Sequence, residues 1–184
     1  MKKAGVIIGI IVVLALLLVP QYNGLVQSKE DVNEAYAQVQ NVVQRRADLI
    51  PNLVNTAKGF AKHEEDVFIK VSEARAGVKS AKDPEELAKA NDELTSALNG
   101  MNVVVERYPE LKSDTHFTQL MDELAGSENR IATERKNYNT VVKSYNQKVK
   151  RFPTVIFARL MGFSSEKYFE ADASAQKAPQ VNFE

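Results

Sequence analysis

The stretch "RRADLIPNLV", residues 45–54, decides how the fold is read. Two arginines, an aspartate and a proline stand there inside a chain that otherwise keeps one long helical pattern. Pro51 has no amide proton to donate and disfavours the helical conformation at Ile50. Asp48 is a good N-cap residue. The stretch therefore reads as a tight corner at residues 46–50 between two antiparallel helices. The alternative is a kinked but continuous helix.

Outward from that point, apolar residues recur at 4-3-4-3 spacing, the pattern of helices packed at a shallow angle. The first stripe is Leu25, Lys29, Val32, Tyr36, Val39, Val43 and Arg46. A second restarts at Ile50 and passes through Val54, Ala57, Ala61, Glu64, Phe68, Val71, Arg75 and Val78. Asp83 and Pro84 supply an N-cap and a first helical position. The third stripe then runs through Leu87, Asn91, Leu94, Leu98, Met101, Val105 and Tyr108 to a break at Pro109. The fourth extends from Phe117 to Phe152. No stretch keeps a period of two. Four such stripes joined by short connections predict an all-α chain, with an up-down antiparallel four-helix bundle of long helices over residues 27–152.

Ahead of the bundle, "MKK" precedes "AGVIIGIIVVLALLLV", an uncharged run from Ala4 to Val19. Sixteen residues span about 24 Å as a helix, short of a hydrocarbon core of about 30 Å. "PQYNGLV" can extend the run to Val26, with Tyr22 at headgroup depth. The run ends without the small-residue site of a cleaved signal peptide. Residues 1–26 thus read as a cytoplasmic Lys-Lys start and an uncleaved, single-pass transmembrane helix. Lys2 and Lys3 then stay inside and the bundle faces outward.

Composition narrows the chemistry. The 184 residues carry 24 basic and 24 acidic side chains, so no global field favours nucleic acid. Without cysteine there are no disulfides and no thiolate ligands or nucleophiles. His63 and His116 are the two imidazoles. Glu-x-x-His, as in di-iron bundles, is absent, as are phosphate loops and nucleophile elbows. No catalytic, cofactor-binding or metal-ligating residue is expected.

The stripes are interrupted by Arg46, Glu64, Arg75, Glu128 and Arg135, charges at positions where packing favours apolar residues. With a corner at Ile50, Glu64 and Glu128 would lie in one layer, about 21–22 Å from the ends of their helices. Arg75 and Arg135 would sit one to two turns further on. Buried carboxylates need cations, a shared proton or water. The charges read as structural ion pairs, as a wet groove for a partner, or as a metal or acid-base site.

Residues 153–184 form a third region. "FPTVIFARLMGF" suggests a short helix from Thr154 to Met161 stopped by Gly162. From Phe152 onward stand six of the chain's fourteen aromatics, too many for a solvated tail. They dock on the bundle, or Phe157, Phe163, Tyr168 and Phe169 contact a partner.

The order of these pieces resembles the LemA family of bacterial membrane proteins. The resemblance spans nearly the whole chain: "YNGLV" (22–26), "RRADLIPNLV" (45–54), "HE" (63–64), "EAR" (73–75), "ERYPELK" (106–112), "FTQLMDELAGSENRIATERKNYN" (117–139), "YN" (145–146), "FP" (152–153) and "KYFE" (167–170). The lipoprotein cysteine of some relatives is missing. The resemblance implies a single-pass protein with a helical bundle outside the cytoplasm, no catalytic residues, and a role not yet defined. Its genes often neighbour those of a membrane metalloprotease, which makes such an envelope protein a candidate partner.

The expectation is thus a non-enzymatic interaction or scaffolding protein of the cell envelope. It is held in the bacterial cytoplasmic (inner) membrane by the lipid bilayer and associates with itself, with no cofactor and no nucleic acid. Self-association follows from confinement to two dimensions, zero net charge and the tail aromatics. The alternatives are a cation-dependent or acid-base enzyme centred on Glu64 and Glu128, or a carrier of an amphipathic ligand.

Overall fold

The structure of the protein, a computed structural model, describes residues 2–170, except for most side chains between positions 2 and 17. Among the described residues there are six helices and no strand: α1 (Lys2–Phe60), α2 (Glu65–Ser80), α3 (Pro84–Arg107), α4 (Pro109–Lys112), α5 (Thr115–Lys150) and α6 (Thr154–Leu160). The protein is all-α.

The corner expected at residues 46–50 is not present. α1 runs without interruption from Lys2 through Pro51 to Phe60, and Asp48 is an interior residue rather than a cap. A proline at position 51 removes the amide that would donate to the carbonyl of Ala47, four residues back. The neighbouring helix repairs that loss, because Arg75 of α2 donates from Nε to the Ala47 carbonyl at 3.0 Å. The inward stripe also never loses phase. Val39, Val43, Arg46, Ile50, Leu53 and Ala57 follow in steps of four and three, each no more than 4% exposed.

The turn into α2 comes instead at residues 61–64, where the amide of Ala61 bonds to the Ala57 carbonyl (2.9 Å) and that of Glu64 to the Ala61 carbonyl (3.2 Å). Asp83 caps α3 as expected, accepting from the Glu86 amide at 2.8 Å, with Pro84 in the first turn. Pro109 ends α3 by keeping Tyr108 out of the helical conformation, at φ -123° and ψ 84°. α6 closes with a Schellman motif. Gly162 takes a φ of +79°, the Phe163 amide bonds to the Ala158 carbonyl (2.9 Å), and the Gly162 amide to Arg159 (3.4 Å).

Among the described residues no helix is long and apolar enough to cross a membrane. The expected membrane-crossing run, Ala4–Val19, lies within α1, but half of its side chains are outside the described ones.

The chain divides into two compact units. The first comprises Met1–Tyr36 with Asn137–Lys167. In it α1 and α5 run antiparallel, Ser28 meeting Lys148 (2.6 Å) and the rings of Tyr36 and Tyr138 lying 5.8 Å apart, while Gln21 meets Thr154 of α6 (3.5 Å). Leu25, Val32, Tyr138, Val142, Tyr145 and Ala158 fill its interior.

The second unit comprises Ala37–Lys136 with the segment from Tyr168. Here α2 and α3 are antiparallel neighbours, Glu64 lying against Arg107, Val67 beside Gly100, and Gly77 beside Ala90. Its core takes Val39, Val43 and Leu53 from α1, Phe68 and Val71 from α2, Leu94 and Met101 from α3, and Leu124 and Ile131 from α5. Burying an aliphatic side chain of this size contributes about 1.5–3 kcal/mol each, so this apolar face dominates what holds the unit together.

Candidate functional site

The polar centre of the second unit is built on Arg46, which is 4% exposed in the inward stripe of α1. Its Nη1 donates to the Asn91 Oδ1 (3.1 Å) and the Thr95 Oγ1 (2.8 Å) of α3. The Thr95 hydroxyl in turn donates to the Asn91 carbonyl at 3.0 Å. Both protons of Nη1 are thereby used. Glu128 Oε2 of α5, 2.5 Å from Nη1, makes a close ion pair without aligned hydrogen-bond geometry. Burial pulls the Arg46 guanidinium below its ordinary range, while Glu128 and then Asp92 pull it back. Arginine stays charged at either limit. Arg46 Nε and Asn91 Nδ2 are buried donors without an acceptor among the described residues.

Two further arginines stand on the same unit. Arg75, besides holding the Ala47 carbonyl, lies 4.0 Å from Asp48, with Lys79 on the same carboxylate at 3.7 Å. Arg135 of α5 reaches Asp92 at 3.6 Å and lies 4.8 Å over the ring of Phe169, a cation–π contact. Phe169 is 1% exposed, so this aromatic is covered within the chain. Tyr168 is 39% exposed. In the other unit Phe157 and Phe163 are half-buried, and Phe163 packs edge-on against Tyr22 at 5.9 Å.

Glu64 does not join this centre, and the expected shared layer with Glu128 is wrong. That layer was measured from a corner at Ile50; because α1 continues to Phe60, Glu64 belongs to the turn at the far end of the unit. There it accepts from Arg107 Nη1 (2.7 Å) and from the Tyr108 hydroxyl (3.3 Å). Arg107 and Asn91 are sixteen residues apart on α3, so the two carboxylates are held about 24 Å apart along that helix. Among the described residues, no three His, Asp or Glu side chains gather closely enough to share a metal ion.

The sequence reading passed over a second polar cluster, in the first unit. Asn146, 6% exposed, clamps the backbone of Glu166, donating to its carbonyl (2.9 Å) and accepting from its amide (2.8 Å). Tyr138 donates its hydroxyl to the Lys167 carbonyl at 2.9 Å, and Lys29 pairs with Glu166 at 2.5 Å. These bonds tie the segment after α6 to α5. The signal was present in "YN" (145–146) and in polar residues at stripe positions such as Asn91, to which no role had been given.

Burial, then Glu166 and Tyr36, push the Tyr138 phenol up to about 12; burial also raises Tyr145. The folded state therefore holds the Tyr138 proton more tightly than an unfolded tyrosine near pH 10. Its contribution is intact below about pH 10 and is lost as pH rises through about 12. Tyr138→Phe is expected to lose roughly 1 kcal/mol at neutral pH with the hydrogen bond. It should also show a shallower loss of stability between pH 10 and 12 than the wild type. Denaturant titrations across that range check it, and equal slopes would count against the assignment.

Residues 35–183 match the model of the LemA family. The chain belongs to the LemA family. The match leaves out "YNGLV", which precedes residue 35. Among curated relatives, magnetosome protein MamQ 2 of Paramagnetospirillum magneticum is 28% identical over 190 residues, covering 89% of this chain and 70% of its own. Magnetosome protein MamQ of Magnetospirillum gryphiswaldense is 26% identical over 178 residues, with 83% and 65% covered. Protein LemA of Metamycoplasma hominis is 24% identical over 153 residues, with 81% and 68% covered. Arg46, Asn91, Glu128 and Arg135 all fall inside the span matched to the LemA family.

Proposed function

We propose that this LemA-family protein is a membrane-tethered, non-enzymatic interaction module of the bacterial envelope. On this reading a transmembrane helix in the first part of α1 leads to an up-down four-helix bundle built from α1, α2, α3 and α5. The observation that carries it is α1 itself. Along one unbroken helix, Ile7, Ile8, Val12, Leu16 and Val19 are each more than half exposed, and the same helix then enters the core of the first unit at Leu25. Exposed apolar side chains at such density need a cover, and a bilayer supplies one without a further protein. Lys2 and Lys3 adjoin the run on one side, while on the other the first basic residue is the single Lys29, ten residues past Val19. That asymmetry keeps the N-terminus in the cytoplasm and turns the folded part outward.

Ion pairing supports the non-enzymatic part. Arg46, Arg75, Arg107 and Arg135 are each directed to a group of their own unit, and the two carboxylates of the enzyme alternative are far apart. The partners proposed are other envelope proteins or further copies of the chain, met through the exposed helix faces.

A cysteine-free chain makes the test direct. Lys89→Cys places a thiol on α3, where the native side chain is 81% exposed. A membrane-impermeant maleimide added to intact spheroplasts is expected to label it. Labelling that requires lysis would overturn the outward orientation.

A further inference from the structure

We propose that the end of the first unit formed by α6 and the last turn of α5 is an adsorption surface for anionic phospholipid, a second membrane contact beside the tether. The proposal rests on the tethered reading. α6 is apolar on two sides. Its inner side carries Ala158, fully buried, with Val155 and Phe157 half-buried. On its outer side Ile156 and Leu160, four residues apart, are 50% and 80% exposed, and Phe152, just ahead of the helix, is 76% exposed. A helix apolar on both sides is expected to be covered on both, and within its unit this one is covered on one.

Charge says what covers the other. The chain is neutral overall, yet from Asn137, where this unit takes up α5, to Glu166 it carries five basic residues, Lys143, Lys148, Lys150, Arg151 and Arg159, and no acidic one before Glu166. Lys148 and Arg151 line an open hollow of about 420 Å³ with Gln21, Phe152 and Thr154. Arg159 stands exposed on α6 beside Leu160. Exposed aromatic and aliphatic side chains among basic ones form the face that lies in a headgroup layer. Each basic residue near an anionic surface strengthens adsorption by roughly fivefold. A second copy is disfavoured as the occupant, because a two-fold contact through this face would set basic residues against their own kind.

Position agrees with charge. Thr154 meets Gln21 at 3.5 Å and Phe163 packs on Tyr22. α6 is therefore pinned two to three residues past Val19, about 3–4.5 Å beyond the end of the apolar run. A tether crossing at that run brings α6 to headgroup depth.

The test uses full-length L160C, labelled with an environment-sensitive fluorophore. The protein is reconstituted into vesicles of phosphatidylcholine alone or with a minority of phosphatidylglycerol, each with and without a spin-labelled quencher lipid. Quenching is expected to be at least about twofold stronger with phosphatidylglycerol. It should fall to the phosphatidylcholine level when Lys148, Arg151 and Arg159 are all replaced by Gln. Equal quenching in both lipids, or no effect of the three substitutions, overturns the proposal. So does absent quenching together with energy transfer between copies, which would make a second copy the occupant. Labelled I8C reports the tether separately and is expected to be quenched in both lipids. Loss of quenching at Ile8 sinks the tether, and with it the depth argued for α6; loss at Leu160 alone sinks the surface and leaves the tether.

Discussion

Arg46→Ala is expected to destabilise the second unit by about 3–5 kcal/mol, the largest effect of any single polar substitution in the chain. The loss has three sources. Asn91, 0% exposed, keeps a buried Oδ1 without a donor, at about 1–3 kcal/mol. Thr95 loses its guanidinium partner, and the volume of a long side chain is left unfilled in a buried stripe. Glu128→Ala should cost less, about 1–3 kcal/mol, because its carboxylate side chain is 41% exposed and Asp92 still attracts the guanidinium. Glu128→Gln should cost least, since the amide oxygen can still face Nη1. Arg46→Met with Asn91→Leu removes both buried polar partners together and should recover most of the loss. Chemical denaturation of the detergent-solubilised full chain, followed by helical circular dichroism, gives all four values. If Arg46→Ala and Glu128→Gln cost the same, the centre is solvated and does not hold the helices in register.

That order could be drawn up in part before the structure, because Arg46, Arg75, Glu128 and Arg135 are legible as charges set in apolar stripes. The all-α class, the Asp83 cap, the Pro109 break and the Gly162 stop follow from local chemistry that acts within a few residues. What was misread has one origin. The pattern offers both Leu53 and Val54 as successors of Ile50; Leu53 continues the 4-3 alternation and is 0% exposed, while the stripe through Val54 breaks it. Through Val54 the phase restarts at Ile50, and a proline beside a phase break reads as a corner. From that corner came the false layer of Glu64 with Glu128. Pairing across helices was not legible. Nothing local to Asn91 announces that Arg46, forty-five residues earlier, will donate to it. Likewise the role of Asn146 depends on the backbone of Glu166, twenty residues on, which has no sequence signature.

The pairing of Pro51 with Arg75 makes the second large prediction, and it takes the form of a coupling. Proline inside a helix costs about 3 kcal/mol or more, from a lost hydrogen bond and from crowding against the carbonyl four residues back. Here that carbonyl belongs to Ala47, which is 0% exposed and receives Arg75 Nε instead. Arg75→Met should therefore cost about 1–3 kcal/mol, since it leaves a buried acceptor with no donor. In a Pro51→Ala background the new amide at position 51 supplies the helix bond itself. The same Arg75→Met change then removes chiefly the weak pair with Asp48 at 4.0 Å, worth at most about 1 kcal/mol. The two substitutions should show a coupling energy of about 1–2 kcal/mol in a double-mutant cycle. Pro51→Ala alone should stabilise, by about 1–3 kcal/mol, less whatever the freer unfolded chain takes back. Amide exchange offers an independent reading: in Arg75→Met, protection on α1 should fall around residues 47–55 before it falls elsewhere on that helix. Equal losses for Arg75→Met in both backgrounds would show that α1 tolerates Pro51 without help from α2. The continuity of α1 past residue 50 would then need another cause.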